Sequence, residues 1–388
     1  MNSIKLGTIL KMVKGKKPKT QVHSQKDGLM PYCDIKAFET GKIDNYTDGE
    51  KCVACDEGDV LIVCDGARSG LVGFAMKGYV GSTLAKLSAE GVDNKYLFYF
   101  LQSKYTLLNT NMKGTGTPHV NQAILKDSYI YVPSIDEQQR IVARIEELFS
   151  ELNQAEETLL KTKEQLEVYR QAVLSETLDR DDFQYISLKE IIEKPRYGTS
   201  KKCTTEKEEN SKFVIRIPNI DWQSGVINKE DSKYACFTEK EFDSISLKEN
   251  DLLVIRSNGS PSLVGRCAIV VRQDTDNTYA GYLIRIRLKE ANEINARFLW
   301  HTMNSPKTRS YIEKIAKSTS GVNNVNAVEI GNLPVAILDY ESKKKIVDNI
   351  DNKLSAFAGI ERDVEVAINK GKSLRQSILK EAFEGKLV

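Results

Sequence analysis

The 388 residues contain no run of 18 apolar amino acids, so no segment is long and apolar enough to be expected to span a bilayer as a helix. The opening stretch MNSIKLGTILKMVKGKKPK lacks the apolar core and small-residue cleavage site of an export signal, and a cytoplasmic protein with no membrane partner is expected. Histidine is scarce. Only His23, His119 and His301 are present, which gives poor support to a histidine-centred triad or metal cage. There is no Pro-Pro dipeptide, hence no Asn/Asp-Pro-Pro-Tyr/Phe element of the kind amino-methyltransferases use, and no G-x-G-x-x-G following a strand. Gly371-Lys372-Ser373 is similar to the end of a phosphate-binding loop, but Val366 stands where that loop requires glycine. No catalytic residue and no metal site is therefore assigned.

Seven cysteines, an odd number, fit a reducing compartment and free thiols. Cys52-x-x-Cys55, with Cys33 and Cys64 at loose distances, could supply four thiolates for a structural zinc; against this, a second close pair is missing and Cys64 ends the apolar run LIVC. The net charge is only +2, but it is unevenly spread: 17 Lys and Arg against 13 Asp and Glu in residues 1–133, and 5 against 10 in residues 134–178. The positive balance lies outside the acidic segment, which permits a DNA partner without identifying one.

What the chain does contain is a repeat of itself. RQAVLSETL from Arg170 and RQSILKEAF from Arg375 share four identical positions at an offset of 205 residues. The same offset pairs Val120-Asn121 with Val325-Asn326 and Ile141-Val142 with Ile346-Val347. Upstream, Leu71-Val72-Gly73 reads against Leu263-Val264-Gly265, Val60-Leu61-Ile62-Val63 against Leu252-Leu253-Val254-Ile255, and Ile4-Lys5-Leu6 against Ile186-Ser187-Leu188, the offset drifting as loops differ in length.

Each half ends in a long amphipathic segment. Ile141, Ile145, Leu148, Leu152, Ala155, Leu159, Leu166, Tyr169 and Val173 follow a heptad seam with Thr162 its one polar member. The second copy runs Ile346, Ile350, Lys353, Phe357, Ile360, Val364, Ala367, Gly371, Leu374 and Ile378. Asp136 and Asp339 are candidate N-cap neighbours. At 1.5 Å per residue each helix is expected to be about 65 Å long. A helix with one apolar stripe cannot bury itself, so the two are expected to pair, antiparallel, with approximate two-fold symmetry between halves.

The remainder of each half reads as mixed α/β. VLIVC, LLVIR, CAIVV and LIRIRL are β-branched strands between Gly, Asn and Asp turns, and short helices are expected at Lys95–Lys104 and Ala296–Asn304. The expected plan is a globular domain at 1–133, a helix at 134–178, a second globular domain at 179–338 and a second helix at 339–388.

Tandem domains, each followed by a long helix, with Pro133-Ser134-Ile135-Asp136-Glu137-Gln138-Gln139-Arg140-Ile141 opening the first, resemble the specificity subunits of type I restriction-modification systems. The second opening, Ile337 to Ile346, lacks the Pro-x-x-x-Glu-Gln core, while the ending LKEAFEGKLV is again similar to the family's. The resemblance implies two pseudo-symmetric target-recognition domains separated by paired coiled-coil helices. It also implies a non-catalytic, sequence-specific subunit that reads a bipartite double-stranded DNA target. Two methyltransferase subunits would dock on it and bind S-adenosylmethionine, leaving no cofactor on this chain; a motor-nuclease subunit would join for restriction. A coiled-coil adaptor that binds proteins rather than DNA, or a self-sufficient methyltransferase or nuclease, are the competing classes.

Base reading needs cations for phosphates and forked donors and acceptors for base edges. Three loop pairs supply them. The basic loop with Lys14, Lys16, Lys17 and Lys19 corresponds to one with Arg196, Tyr197, Lys201 and Lys202. After the VLIV and LLVI strands come Arg68 and Ser69 in one half and Arg256, Asn258 and Ser260 in the other. The third pair carries Lys113, Thr115, Thr117 and Asn121 against Asn323, Asn324 and Asn326. Each loop is equally readable as an ordinary solvated turn, and Asn121 and Asn326 as caps of the local backbone.

Overall fold

In the computed structural model residues 3–114, 118–319 and 322–387 are described, and the chain divides into two compact units, Met1–Leu160 with Glu365–Val388, and Lys161–Val364. Both units are mixed α/β and follow one plan.

In the first unit four strands lie antiparallel in the order Leu10–Lys14, Leu84–Ala89, Val60–Val63 and Val72–Phe74. The second unit has Arg196–Tyr197, Leu283–Ile286, Leu252–Ile255 and Cys267–Ile269 in the same order. Every residue of VLIV and of LLVI is buried, because both sheet faces are covered. Successive side chains point to opposite faces. Val60 and Ile62 therefore join a core with Tyr96, Phe100 and Leu125, whereas Leu61 and Val63 join another with Cys33, Cys55 and Val80. Likewise Leu252 and Val254 pack with Phe298 and Ile330, and Leu253 and Ile255 with Phe213 and Tyr279. Each such buried aliphatic side chain contributes roughly 1.5–3 kcal/mol.

A smaller sheet in each unit holds one parallel pair, Met30–Cys33 with Gly78–Val80 and Ser211–Ile215 with Thr278–Tyr279. The first strand of each unit closes on its last, Ser3–Lys5 with Tyr129–Tyr131 and Tyr185–Ser187 with Pro334–Ala336. The expected short helices span Asn94–Ser103 and Glu293–Asn304, capped by the Asp93 and Asn292 side chains.

The long helices run Ile135–Leu178 and Tyr340–Phe383. Within the first unit Ile141, Val142 and Ile145 share a core with Ile378, Leu379 and Ala382, and Arg375 reaches Glu156 at 3.3 Å. Within the second unit Val173 and Leu174 share a core with Val347 and Ile350, and Arg170 reaches Glu361 at 3.2 Å. In both, one helix ascends as the other descends, so the pairing is antiparallel. The two ion pairs are copies of each other, Arg170 and Arg375 and Glu156 and Glu361 both standing 205 residues apart.

Two readings are corrected. Tyr169, Ile360 and Leu374 of the seam are exposed, at 56%, 44% and 46%, while Leu174 and Leu379 are buried. An α-helix turns every 3.6 residues, so a strict 3.5-residue seam drifts by about 20° per heptad and its members rotate out of the contact. At the start of the first long helix Ser134 receives the first free N–H groups, from Glu137 and Gln138, with Asp136 beside it in the first turn; Asp339 accepts from Ser342. Finally, Ile62 pairs with Val72 and Val254 with Cys267, so Val72 corresponds to Cys267 and not to Val264. The second unit's loop is three residues longer, and the shared Leu-Val-Gly is a coincidence of composition.

No helix among the described residues is long and apolar enough to cross a membrane. Cys33 and Cys55 lie in one core and Cys64 in another, and burial pushes their thiols up to about 11, 12 and 11. Among the described residues no three His, Cys, Asp or Glu side chains are placed to hold a metal ion.

Candidate nucleic-acid interface

In each unit the three nominated loops meet at one end of the main sheet. In the first unit the junction is Asp65. Its carboxylate accepts from Lys14 Nζ at 2.8 Å and lies 2.7 Å from His119 Nδ1, so it joins the basic loop, the loop after Val60–Val63 and the third loop. Burial pushes the Asp65 carboxyl up, but the hydrogen bonds to Lys14 and His119 outweigh it and hold the group below the usual carboxylate range. Asp65 was not among the nominated residues. Its signal in the sequence was its position, the first polar residue after the buried run VLIVC.

In the second unit the junction is Arg256. Its guanidinium carbon lies 4.8 Å from the centre of the Tyr197 ring, and its Nε and Nη2 donate to Asn324 Oδ1 at 3.4 and 3.3 Å. The Tyr197 hydroxyl accepts from the Ala327 N–H at 3.0 Å. Asn258 accepts from the Ser260 N–H, and Asn323 donates to the Gly259 carbonyl.

The backbone beneath these clusters is the same in both units. Val120 N donates to Cys64 O at 2.8 Å, and Val325 N donates to Arg256 O at 2.8 Å. Asp65 bridges His119 as Ser257 pairs with Asn324, both antiparallel. Gly15 N donates to Leu84 O, and Gly198 N to Leu283 O. Gly70 and Gly265 both take positive φ, +94° and +80°, where an added Cβ would strike Leu108 and Ile312. Lys14, Cys64, Asp65 and His119 thus stand where Tyr197, Arg256, Ser257 and Asn324 stand in the other unit. One frame carries two different sets of side chains.

The other nominated residues fall into three groups. Lys16, Lys17 and Lys202 are exposed, with amino groups unpaired among the described residues, and Lys113 and Arg196 are exposed too. A second group is committed to protein partners. Lys19 pairs with Glu50 at 2.5 Å, Arg68 with Glu39, and Lys201 with Glu241 at 2.7 Å; the last contact, with the Thr238 N–H, lowers the Glu241 carboxyl to about 2. Asn121 accepts from Ala123 N, and Asn326 from Val328 N and Glu329 N, so both cap short helices, as their alternative reading held. Ser69 is a correction. It is wholly buried, with its hydroxyl 2.7 Å from the Gly66 carbonyl oxygen, and it shapes the turn instead of facing a duplex. Thr115 and Thr117 lie outside the described residues.

This arrangement, two like frames on paired long helices, is found in known proteins. A structure solved to explain complex assembly and conformational transition of the type I restriction-modification system superposes with a TM-score of 0.75 at 18% identity, covering 99% of this chain and 98% of its own. The HsdS subunit from Thermoanaerobacter tengcongensis gives 0.56 at 18% identity, covering 99% and 97%. In fold, then, the chain is a mixed α/β protein of two compact units with long helices, like these two structures. Residues 1–162 match the family described as the type I restriction modification DNA specificity domain. The MjaVIII specificity subunit of Methanocaldococcus jannaschii is 23% identical over 404 residues, covering 97% of this chain and 91% of that one. Over nearly its whole length the chain is thus similar to a specificity subunit of a type I restriction enzyme, and its first 162 residues match the corresponding family.

Proposed function

We propose that each unit reads one block of a bipartite double-stranded DNA target, and that two methyltransferase subunits dock on this chain. On this reading they carry S-adenosylmethionine, this chain carries no cofactor, and a motor-nuclease subunit joins the complex for restriction. The observation that carries it is the shared loop frame bearing Lys14, Asp65 and His119 in one unit and Tyr197, Ser257 and Asn324 in the other. A catalytic site duplicated in this way would keep its reacting groups. A reading head keeps its backbone and changes its side chains, because phosphate contacts set the register and side chains at base edges set the sequence. The exposed Lys16, Lys17 and Lys202 beside the frames supply cations for phosphates.

The test is a footprint of the chain purified with its methyltransferase subunits. Two short protected blocks separated by a fixed gap are expected. Uniform, salt-sensitive binding to any duplex, with no preferred sequence, overturns the reading. Inserting one heptad within Leu152–Leu166 together with one within Phe357–Gly371 should lengthen the gap and leave both blocks unchanged.

A further inference from the structure

Arg256 follows the buried strand Leu252–Ile255, and its backbone is held on both sides: its N–H donates to Tyr282 O at 2.9 Å and its carbonyl accepts from Val325 N at 2.8 Å. The side chain is half-buried, laid over Tyr197 and fixed by Asn324. Among the described residues no carboxylate lies within ion-pair distance of it, whereas Arg68 is paired with Glu39 and Arg216 with Asp231. Its charge is thus held by an aromatic face and an amide oxygen, both neutral.

A guanidinium has five N–H donors in a planar fork. Asn324 takes the edge formed by Nε and Nη2, which leaves the terminal Nη1 and Nη2 pair for a ligand. Two parallel donors with a fixed plane match the O6 and N7 acceptors that guanine presents in the major groove, whereas adenine offers a donor at the corresponding place. We propose that Arg256 selects a guanine in the block read by the Lys161–Val364 unit, with Tyr197 and Asn324 as its positioning residues; this rests on the DNA-reading function above. In the other unit the equivalent position is Cys64, buried and without such donors, so the first unit makes no matching contact.

The test selects duplexes from a random pool with the full chain and its methyltransferase subunits. One guanine should be invariant for the wild type and relaxed by Arg256→Ala, with binding to the selected site falling on the order of tenfold to a hundredfold. Arg256→Lys, which keeps the charge and loses the fork, should relax it as well. Tyr197→Leu should weaken the preference and Tyr197→Phe should recover it, a pattern that a general loss of stability does not produce. On the wild type, 7-deazaguanine at that position should reproduce the loss while inosine, which keeps O6 and N7, should not. That arm needs no variant to fold. Retention of the same guanine by Arg256→Ala, or indifference to 7-deazaguanine, overturns the assignment while leaving DNA reading intact. A wild type with no preferred sequence overturns both.

Discussion

Gln138 offers a test of how the first unit is fastened to its helix. It is wholly buried, and its amide makes three bonds: Nε2 donates to Gly91 O at 2.8 Å and to Pro133 O at 2.9 Å, and Oε1 accepts from Asp93 N at 2.8 Å. The first and third partners lie just before the helix Asn94–Ser103, and Pro133 just before the long helix. Gln138→Leu fills nearly the same space but orphans one N–H and two carbonyls. A buried polar group left without a partner costs about 1–3 kcal/mol, and carbonyls lose less than an N–H, so about 3 kcal/mol in all is expected. For a cooperative unit of this size each kcal/mol moves Tm by about 2–4 °C, so a fall of roughly 6–12 °C follows.

Thermal unfolding followed by far-ultraviolet circular dichroism measures it, and Gln138→Glu identifies the cause. Its carboxylate still accepts from Asp93 but faces the Gly91 and Pro133 carbonyls with charge, so it is expected to be the weaker protein at neutral pH. The folded-state pKa of such a carboxyl is raised. Stability is then present at acid pH, where the protonated group donates again, and is lost as pH rises through that pKa. The equivalent Lys343 makes one bond, to Asn295 Oδ1 at 3.1 Å, and Lys343→Leu should cost less. A Gln138→Leu Tm within about 1 °C of the wild type, or a Glu variant indifferent to pH, refutes the argument.

Three further outcomes are expected. Burial pushes the Asp351 carboxyl up, but hydrogen bonds from His301 and Arg297 outweigh it and hold it at about 2, below its ordinary 3.8. A lowered carboxyl contributes stability above its unfolded value that is lost as pH falls toward 2, here about 2 kcal/mol, and acid titration of Asp351→Asn should lack that loss. Gly70→Ala and Gly265→Ala each combine positive φ with a clash against Leu108 or Ile312, so each should destabilise by about 1–3 kcal/mol in urea unfolding. A double-mutant cycle across Arg170 and Glu361 should give a coupling of about 0.5–1 kcal/mol, and the cycle across Arg375 and Glu156 should match it. Unequal couplings there would show that the two helix contacts are not energetic copies.

Much of this fold was legible because it rests on local rules. VLIV and LLVI are buried on both faces, and such strands read as continuous apolar runs. The apolar stripes carried the helix pairing, whereas the ion pairs Arg170 with Glu361 and Arg375 with Glu156, repeated at the 205-residue offset, emerge only from the structure. What the sequence could not show was which polar side chains the fold consumes. Ser69 and Arg68 are neighbours in one glycine-rich loop, yet one is wholly buried and the other exposed. Asp65 escaped notice because its partners, Lys14 and His119, are 51 and 54 residues away along the chain. The matching of Val72 to Cys267 instead of Val264 likewise depends on strand register, which an identical tripeptide does not report.

One contact shows what duplication preserved. Leu6 N donates to Ser128 O and Leu188 N to Leu333 O, so Gly7 corresponds to Lys189 and Lys126 to Gly331. In the first unit a Cβ on Gly7 would lie 2.8 Å from the Lys126 Cβ; in the second a Cβ on Gly331 would lie 3.4 Å from the Lys189 Cβ. The glycine and the lysine have exchanged sides. In the first unit a second side chain does not fit at this crossing, while in the second it would stand at van der Waals contact, and either arrangement of one glycine and one lysine satisfies it. Packing therefore constrains the backbone separation and not the identity at either position. The loop frames obey the same rule one step further out, where Lys14, Asp65 and His119 replace Tyr197, Ser257 and Asn324 over unchanged main-chain bonds. Because these side chains are fixed by one another and not by the core, a unit can change what its loops present without altering the sheet that carries them. Each unit can then change its own contacts while leaving those of the other intact.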